Sequence, residues 1–494
     1  MEAHLLLEAK LPMVGSATDF TYKWCVNMGL DQTEAARMAL AVDEILTDIV
    51  LYAFREETGY AEIWYQYTFS EIEIIIQEKG EPFDPEKHVY SSEKAIREND
   101  FEGASFECVR KMTDHFLFLN RGKDGKEFRL VKQFFSKDIR DRLPEIAETE
   151  EADQDISEDD NYLLTPVTSE DAEDIAKLIY RSYGYSYSKE DLYFPRRIEM
   201  AIRHEYKFGT IVRTMSGGPA GYFAVVKSTD SRIGEVGEAV VSPPHRKRGL
   251  MKLMMTELIK MSKQRGLIGL FGEALTIHTY SQKVNEKFGF RSTAMVLAKS
   301  PKRIFKGMEV DAADIITVVI DFLPLTRRWR KPEFLPDTYS ELLTDIYSQF
   351  DLLTRDFRSS KTSDPVSAAS ELDLTIYYEK NSALIIVREI GSTFEASCTR
   401  MLRSIGELNL ASVYVDLPLN NPRIDGAIRW LKEEGFIFAG LMPLFHRETD
   451  YLRMQRIREE IDFEKIHTHT QISTRIKEVI KNEYDTNQKE QQQA

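Results

Sequence analysis

Val240-Val-Ser-Pro-Pro-His-Arg-Lys-Arg-Gly-Leu-Met251 decides how the middle of this 494-residue chain is read. An apolar strand-like run stops at Ser-Pro-Pro, and a helical pattern opens beyond Gly249, with Leu250, Leu253, Met254, Leu258 and Met261 on one face. Arg246, Lys247 and Arg248 stand where unpaired first-turn amides and the helix dipole are already positive. That placement is unfavourable unless an anion lies there, and Gly249 lets a ligand approach the backbone. The stretch reads as a strand-to-helix turn that binds phosphate; the plainer alternative is a surface helix with a basic start.

The length allows about three domains at the usual ~150 residues each, and 42% apolar residues can supply their cores. No apolar run approaches the roughly 20 residues of a membrane span, and Met1-Glu-Ala-His-Leu-Leu-Leu-Glu-Ala-Lys lacks a signal peptide's basic start and long apolar core. A cytoplasmic protein with no membrane contact is expected. Cys25, Cys108 and Cys398 are far apart and form no metal or redox spacing, so buried reduced thiols are expected. A formal charge of −16 argues against nucleic acid as a partner.

Between Pro144 and Asp160 stand nine acidic residues and no basic one, which marks a solvated linker at about 141–160. An α/β unit precedes it, and a periodic segment from about Tyr162 to Ser300 follows. The remainder alternates strand-like runs (Ile315–Ile320, Ala383–Val387, Ser412–Asp416) with helical ones and is expected to finish in a long charged helix from about Thr449.

Arg246-Lys-Arg-Gly-Leu-Met251 resembles the Arg/Gln-x-x-Gly-x-Gly/Ala pyrophosphate loop of GNAT-type N-acyltransferases, with Met251 in place of the last small residue. The surrounding order agrees: a helix near Asp171–Tyr183, a hairpin turning at Gly217-Gly218-Pro219, the strand ending at Val241, the strand Leu267–Ala274, and Ser281–Phe290 ending in Gly-Phe. The resemblance implies a mixed sheet that splays around acyl-CoA, with acetyl-CoA or another acyl-CoA as cosubstrate. It assigns the cofactor to Val241, Arg246, Lys247, Arg248, Gly249, Leu250, Met251 and Asn285.

Acyl transfer to an amine needs a base for the ammonium and an acid for the departing thiolate. Glu238 and Glu273 are candidate bases, or else solvent-facing strand residues. Asn285 occupies the position of the family's usual tyrosine acid, which leaves His278, Tyr280 and Ser281 as nearby candidates; a structural histidine is the alternative. Tyr183, Tyr185, Tyr187 and Tyr193 fall where the family covers the acceptor, a small-molecule or protein amine; aromatic packing between domains would explain them equally.

Ala41-Val-Asp-Glu-Ile-Leu-Thr-Asp-Ile-Val-Leu-Tyr-Ala-Phe54 resembles the nucleotide-binding helix of GHKL ATPases, especially anti-sigma-factor serine kinases. The resemblance places Glu44 at the attacking hydroxyl, Asp48 at magnesium, and Glu78 and Gly80 at adenine. Gly103 is the surviving glycine of the lid. Asp48 replaces the family's asparagine, Glu78 its aspartate, and the lid has lost its other glycines. Mg-ATP binding is one expectation; a degenerate regulatory domain for a signalling partner is the other, and a solvated acidic helix face the plainest.

Leu417–Phe436 repeats the late helix and Gly-Phe ending, without a basic loop before it. It reads as a degenerate second GNAT-like domain, or an unrelated α/β domain with a common ending. The expected fold class is α/β of mixed α+β type: a GHKL-like α/β sandwich (1–140), the linker (141–160), a GNAT mixed-sheet domain (161–300), a second GNAT-like domain (301–460) and a charged helical tail (461–494). The expected function is acyl-CoA-dependent N-acyl transfer with an ATPase-like regulatory domain. The competing expectation is an ATP-binding anti-sigma-factor-like kinase or switch with a ligand-sensing GNAT-like part.

Overall fold

The computed structural model describes residues 2–54, 59–67, 71–81, 104–121, 124–133, 162–184, 187, 189–300, 316–327, 329, 335–350, 369–406 and 408–493. The acidic linker, Tyr185 and Gly103 lie outside these residues. The chain divides into two compact units, Met1–Glu145 together with Arg400–Glu407, and Ile146–Thr399 together with Leu408–Ala494.

In the amino-terminal unit, α1 (Leu11–Asn27), α2 (Gln32–Asp48) and α3 (Ala104–Met112) accompany a five-stranded antiparallel sheet. Its strands are β1 (Glu2–Glu8), β2 (Tyr60–Tyr67), β3 (Glu71–Glu78), β4 (His115–Asn120) and β5 (Lys126–Gln133), in the order β1-β2-β3-β5-β4. Asp31 starts α2 by accepting from the amides of Thr33 and Glu34, so the first turn is capped by a side chain. Alternation in β2 buries Ala61, Ile63, Tyr65 and Tyr67. These pack with Trp24, Met38, Val42 and Ile45 from the helices, which gives the α/β sandwich.

The second unit is built on one twelve-stranded sheet. Its first part runs β6 (Tyr162–Pro166), α4 (Ala172–Tyr183), α5 (Pro195–Arg203), β7 (Lys207–Thr214), β8 (Pro219–Lys227), β9 (Ile233–Val241), α6 (Leu250–Gln264), β10 (Gly269–Leu275), α7 (Tyr280–Lys287), β11 (Arg291–Ser300) and β12 (Ile316–Pro324). Strand β12 inserts between β10 and β11, antiparallel to both. The sheet of this part therefore runs past residue 300, where the sequence boundary was drawn, because β10 and β11 have no direct ladder without it.

The remaining elements are α8 (Ser340–Ser348), β13 (Glu371–Tyr377), β14 (Ser382–Glu389), α9 (Phe394–Gly406), β15 (Ser412–Pro418), α10 (Ile424–Glu433), β16 (Ile437–His446), β17 (Thr449–Ile457) and α11 (Gln471–Gln493). The pairing repeats: β9 and β10 are parallel, then β12 and β11 follow antiparallel; β14 and β15 are parallel, then β17 and β16 follow antiparallel. Both late helices end in a left-handed glycine, Gly289 (φ 88°) and Gly435 (φ 80°), followed by a buried phenylalanine, Phe290 and Phe436.

The two halves of the sheet meet where β11 pairs with β16, at Ala294 and Gly440. A Cβ on Gly440 would lie 2.4 Å from Ala294 Cα, and φ there is +136°, so only glycine permits this approach.

The expected helix from Thr449 is corrected. Thr449–Ile457 is strand β17, buried on both faces through Tyr451, Leu452 and Met454, and the helix begins only at Gln471. Its charged residues Asp450 and Arg453 are buried with partners, which a reading of polarity mistakes for exposure. Of the cysteines, Cys25 and Cys398 are buried as expected, whereas Cys108 is exposed on the outer face of α3. Among the described residues no helix is long and apolar enough to cross a membrane.

Candidate active site

The chain leaves β9 at Val241, makes a 3-10 turn at Pro243–His245, and passes through two left-handed residues, Lys247 (φ 65°) and Gly249 (φ 76°), into α6. Alternation of left-handed and ordinary residues turns successive amides toward one side, an anion-binding concavity. No side chain caps α6, so its first-turn amides are left for a ligand. A Cβ on Gly249 would meet nothing within 4 Å, and Arg246, Lys247 and Gly249 are exposed. Leu250 is buried and anchors the helix. Arg246 Nε donates to Val241 O at 3.2 Å, folding that side chain along the loop.

Strands β9 and β10 pair only from Gly269–Ile233 to Phe271–Glu235. Beyond that, β9 stays with β8 and β10 with β12, so the two strands part into a fork. A bulge between the Tyr222–Val240 and Ala224–Gly237 pairs puts Glu238 at φ 61°. The Glu238 carboxylate, 3% exposed, accepts from Lys207 Nζ at 3.1 Å on both oxygens and from the Tyr222 hydroxyl at 2.9 Å. Burial alone would lower the Lys207 pKa, but Glu238 and Asp191 carry it above the ordinary value. Burial and then Glu238 hold the Tyr222 phenol far above its ordinary range. Over the fork, Lys189 Nζ donates to Glu235 Oε1 at 2.9 Å and stands 4.0 Å from Glu238 Oε1.

On the other prong, Glu273 accepts from Lys299 Nζ at 2.7 Å. Burial would raise its pKa, but Lys299 and then Lys380 bring it down to about 2. So acidic a group makes a poor proton acceptor near neutrality, and of the two expected bases Glu273 is the weaker candidate.

Residues 172–290 match the family model for the acetyltransferase (GNAT) family. The middle of the chain is a GNAT acetyltransferase domain. Residues 7–132 match the model for the histidine kinase-like ATPase domain. Among solved structures, an N-acetyltransferase from Staphylococcus aureus Mu50 is 12% identical, with 34% of this chain and 99% of that chain covered and a TM-score of 0.29. An acetyltransferase of the GNAT family from Streptococcus pneumoniae is 16% identical, covering 33% and 99% at a TM-score of 0.28. A phosphinothricin acetyltransferase from Sinorhizobium meliloti, solved with AcCoA, is 16% identical, covering 34% and 89% at 0.28. No curated protein matches the chain.

Within the GNAT domain the expected tyrosines divide by role. The Tyr183 and Tyr187 rings meet at a tilt with 4.8 Å between centres, and Tyr183 donates to Ala239 O at 3.3 Å on β9, so both lie against the fork. Burial raises both phenols' pKa values. Tyr193 instead donates to Gly184 O at 2.7 Å and accepts from the Tyr187 amide at 2.9 Å. It is buried and clamps the loop, which corrects its expected place as pocket lining.

Asn285 is also corrected. It is 8% exposed and donates to Asp321 Oδ2 at 2.9 Å, holding α7 to β12; that engagement takes it from the cofactor. His278 and Tyr280 lie together at 5.2 Å between ring centres. Tyr280 is 73% exposed, and His278 Nδ1 is buried without a hydrogen-bond partner. Met251 lies in the first turn of α6 beside the apolar core.

Lys189, Lys207, Tyr222, Glu235 and Lys299 were missed in the sequence. Lys207 carries the one available signal, a lysine opening the otherwise apolar run Phe208–Val212.

In the ATPase-like domain, Glu44 and Asp48 share one side of α2, and Ser105 at the start of α3 donates to Asp48 Oδ1 at 3.1 Å. Burial raises the Asp48 pKa to about 6, with Ser105 opposing and Glu44 adding. That pair of carboxylates suits a phosphate-bound magnesium. At the expected adenine end, Glu78 is tied into the protein. Glu78 is 3% exposed, its Oε1 lies 2.7 Å from Lys126 Nζ, and its Oε2 accepts from the Gly80 amide at 2.5 Å. Gly80 itself is pressed on the Ala53 carbonyl, 2.3 Å from where its Cβ would be. Burial, the Lys126 ion pair and the Gly80 amide hold this carboxylate inside the protein.

The second half of the sheet has no equivalent of the anion loop. Between β14 and α9 stand Ile390-Gly-Ser-Thr393, with no basic residue. The Gly391 amide donates to Ser370 Oγ at 2.9 Å, and the Gly391 Cβ position is 2.5 Å from Ala369 O. The chain fills its own loop there.

Proposed function

We propose that the chain is an acetyl-CoA-dependent N-acetyltransferase working at the fork of β9 and β10, with the ATPase-like domain as a regulatory module for a signalling partner, in the cytoplasm. The observation that carries this is the uncapped, left-handed loop at Arg246–Gly249 placed at the end of the strand that forks. The loop amides and basic side chains hold the pyrophosphate, and the fork admits the pantetheine arm. Backbone amides freed from pairing on β9 then face the acyl carbonyl.

Glu238 takes a proton from the acceptor ammonium, directly or through water, in the pocket framed by Tyr183 and Tyr187. Lys207 and Tyr222 hold it in place until then. The acetyl–sulfur bond breaks as the acetyl–nitrogen bond forms, and Tyr280 or His278 returns a proton to the thiolate. The buried ion pair Glu78–Lys126, which engages the expected adenine contact, supports a regulatory reading of the first domain over a kinase.

The test is release of CoA thiol from acetyl-CoA on addition of primary amines, with acetyl-CoA affinity measured alongside. Glu238→Gln is expected to lower turnover by about 100-fold or more with little change in affinity. If Glu273→Gln does this instead, the base is misassigned; no amine-dependent release at all would overturn the transferase reading.

A further inference from the structure

The fork is not closed by the GNAT domain alone. Core residues Leu384 and Ile386 of β14 and Tyr414 of β15 pack against Val318 and Ile320 of β12, so the second half of the sheet folds over the same face that carries Glu273. Phe271, two residues before Glu273 on β10, meets Phe445 of β16 at 4.6 Å. The 3-10 turn Tyr378–Lys380, at the end of β13, packs beside β11, whose Lys299 bonds Glu273.

The charges gathered here have an odd member. Lys189 pairs with Glu235 at 2.9 Å, Lys207 with Glu238 at 3.1 Å and Lys299 with Glu273 at 2.7 Å. Lys380 has no ion pair within 4 Å among the described residues; its ammonium lies over the face of Tyr377, 5.4 Å from the ring centre. Its side chain is exposed to solvent. Burial and Lys299 pull its pKa below the ordinary lysine value against Glu273 and Glu235, so the surroundings disfavour its charge as they stand. An anion arriving beside Lys380 relieves that.

Resting on the transferase reading, we propose that Lys380 of the second half completes the acceptor site and selects an amine that also carries a carboxylate. The carboxylate takes the open cation at Lys380, next to the Lys299–Glu273 pair. The amino group lies on the opposite prong, toward Glu238 and Glu235. The degenerate half thus lacks a CoA loop but supplies the specificity of the half that has one.

The experiment uses the full chain with acetyl-CoA and two amine series: α- and ω-amino acids, and amines of equal length without the carboxylate. Wild type should favour the amino acids by about 10- to 100-fold in kcat/KM, the range of one charge-assisted hydrogen bond, and mainly through KM. Lys380→Met should erase the preference and Lys380→Glu reverse it, with acetyl-CoA affinity unchanged in both. Equal use of both series by wild type, or a preference that survives in Lys380→Met, overturns the proposal while leaving the transferase intact. Acetyl-CoA binding with no acetylation of either series removes the transferase reading, and this one with it.

Discussion

Lys207→Met removes the cation that faces Glu238. Lys207 and Glu238 are 1% and 3% exposed, and the ammonium lies 3.1 Å from each carboxylate oxygen. At an effective dielectric near 20 that separation is worth about 5 kcal/mol before desolvation. Lys189 at 4.0 Å and the Tyr222 hydroxyl at 2.9 Å remain and recover part of it. An adjacent opposite charge favours the charged form of a carboxylate, so its removal should be felt wherever Glu238 acts on a proton. If Glu238 is the base, the acid limb of the kcat/KM profile should change position in Lys207→Met, because that limb reports the base in the free enzyme. Stability should fall by about 3–5 kcal/mol, the usual cost of removing one partner of a buried ion pair. The pH profile and thermal melts are to be recorded together, with Lys207→Arg as the charge-conserving control. A folded Lys207→Met enzyme whose acid limb stays in place would refute Glu238 as base.

Gly440→Ala forces a Cβ to 2.4 Å from the Ala294 backbone at a left-handed φ, and should cost about 3 kcal/mol or more in thermal or urea unfolding; a neutral result would mean the two half-sheets are not joined there. Asp321 is held by Asn285 and Ser292 with its pKa raised by burial to about 6, so the folded carboxyl binds its proton more tightly than the unfolded one at 3.8. Its stabilisation is full below about pH 4 and lost as pH rises through about 6, roughly 3 kcal/mol in all, and Asp321→Asn should remove that share of the pH dependence of Tm. Because Glu78 is committed to Lys126, saturating Mg-ATP should leave the melting temperature unchanged; a rise that grows with nucleotide concentration would show that the pair opens.

Local signals made much of the fold legible. The basic loop, the Gly-Phe endings and the Gly-Gly-Pro hairpin are short-range features whose backbone requirements are written in the residues themselves, and the family matches agree with the two domain types read from them. What was not legible depends on long-range pairing. β12 looks like a free-standing apolar run until β10 and β11 are seen to need it between them. β17 looks like a charged helix because Asp450 and Arg453 find buried partners that lie far away in sequence: Trp329 and Tyr347 for the first, Asp416 for the second. The same holds at the site. Glu238 could be nominated from its strand, but the lysine that holds it is 31 residues earlier, and Lys380 is brought in by a different half of the sheet. Tyr193 and Asn285 were misplaced for the converse reason, since residue type suggested ligand contact and packing turned them inward.

Titration of the intact chain with acetyl-CoA in a calorimeter tests the central claim most directly. One site per chain is expected, from the open anion loop at Arg246–Met251. It should be lost in Gly249→Asp, whose carboxylate would stand beside the pyrophosphate in space that is otherwise empty. No binding by the wild-type chain, two equivalent sites, or full affinity in a folded Gly249→Asp protein would contradict it.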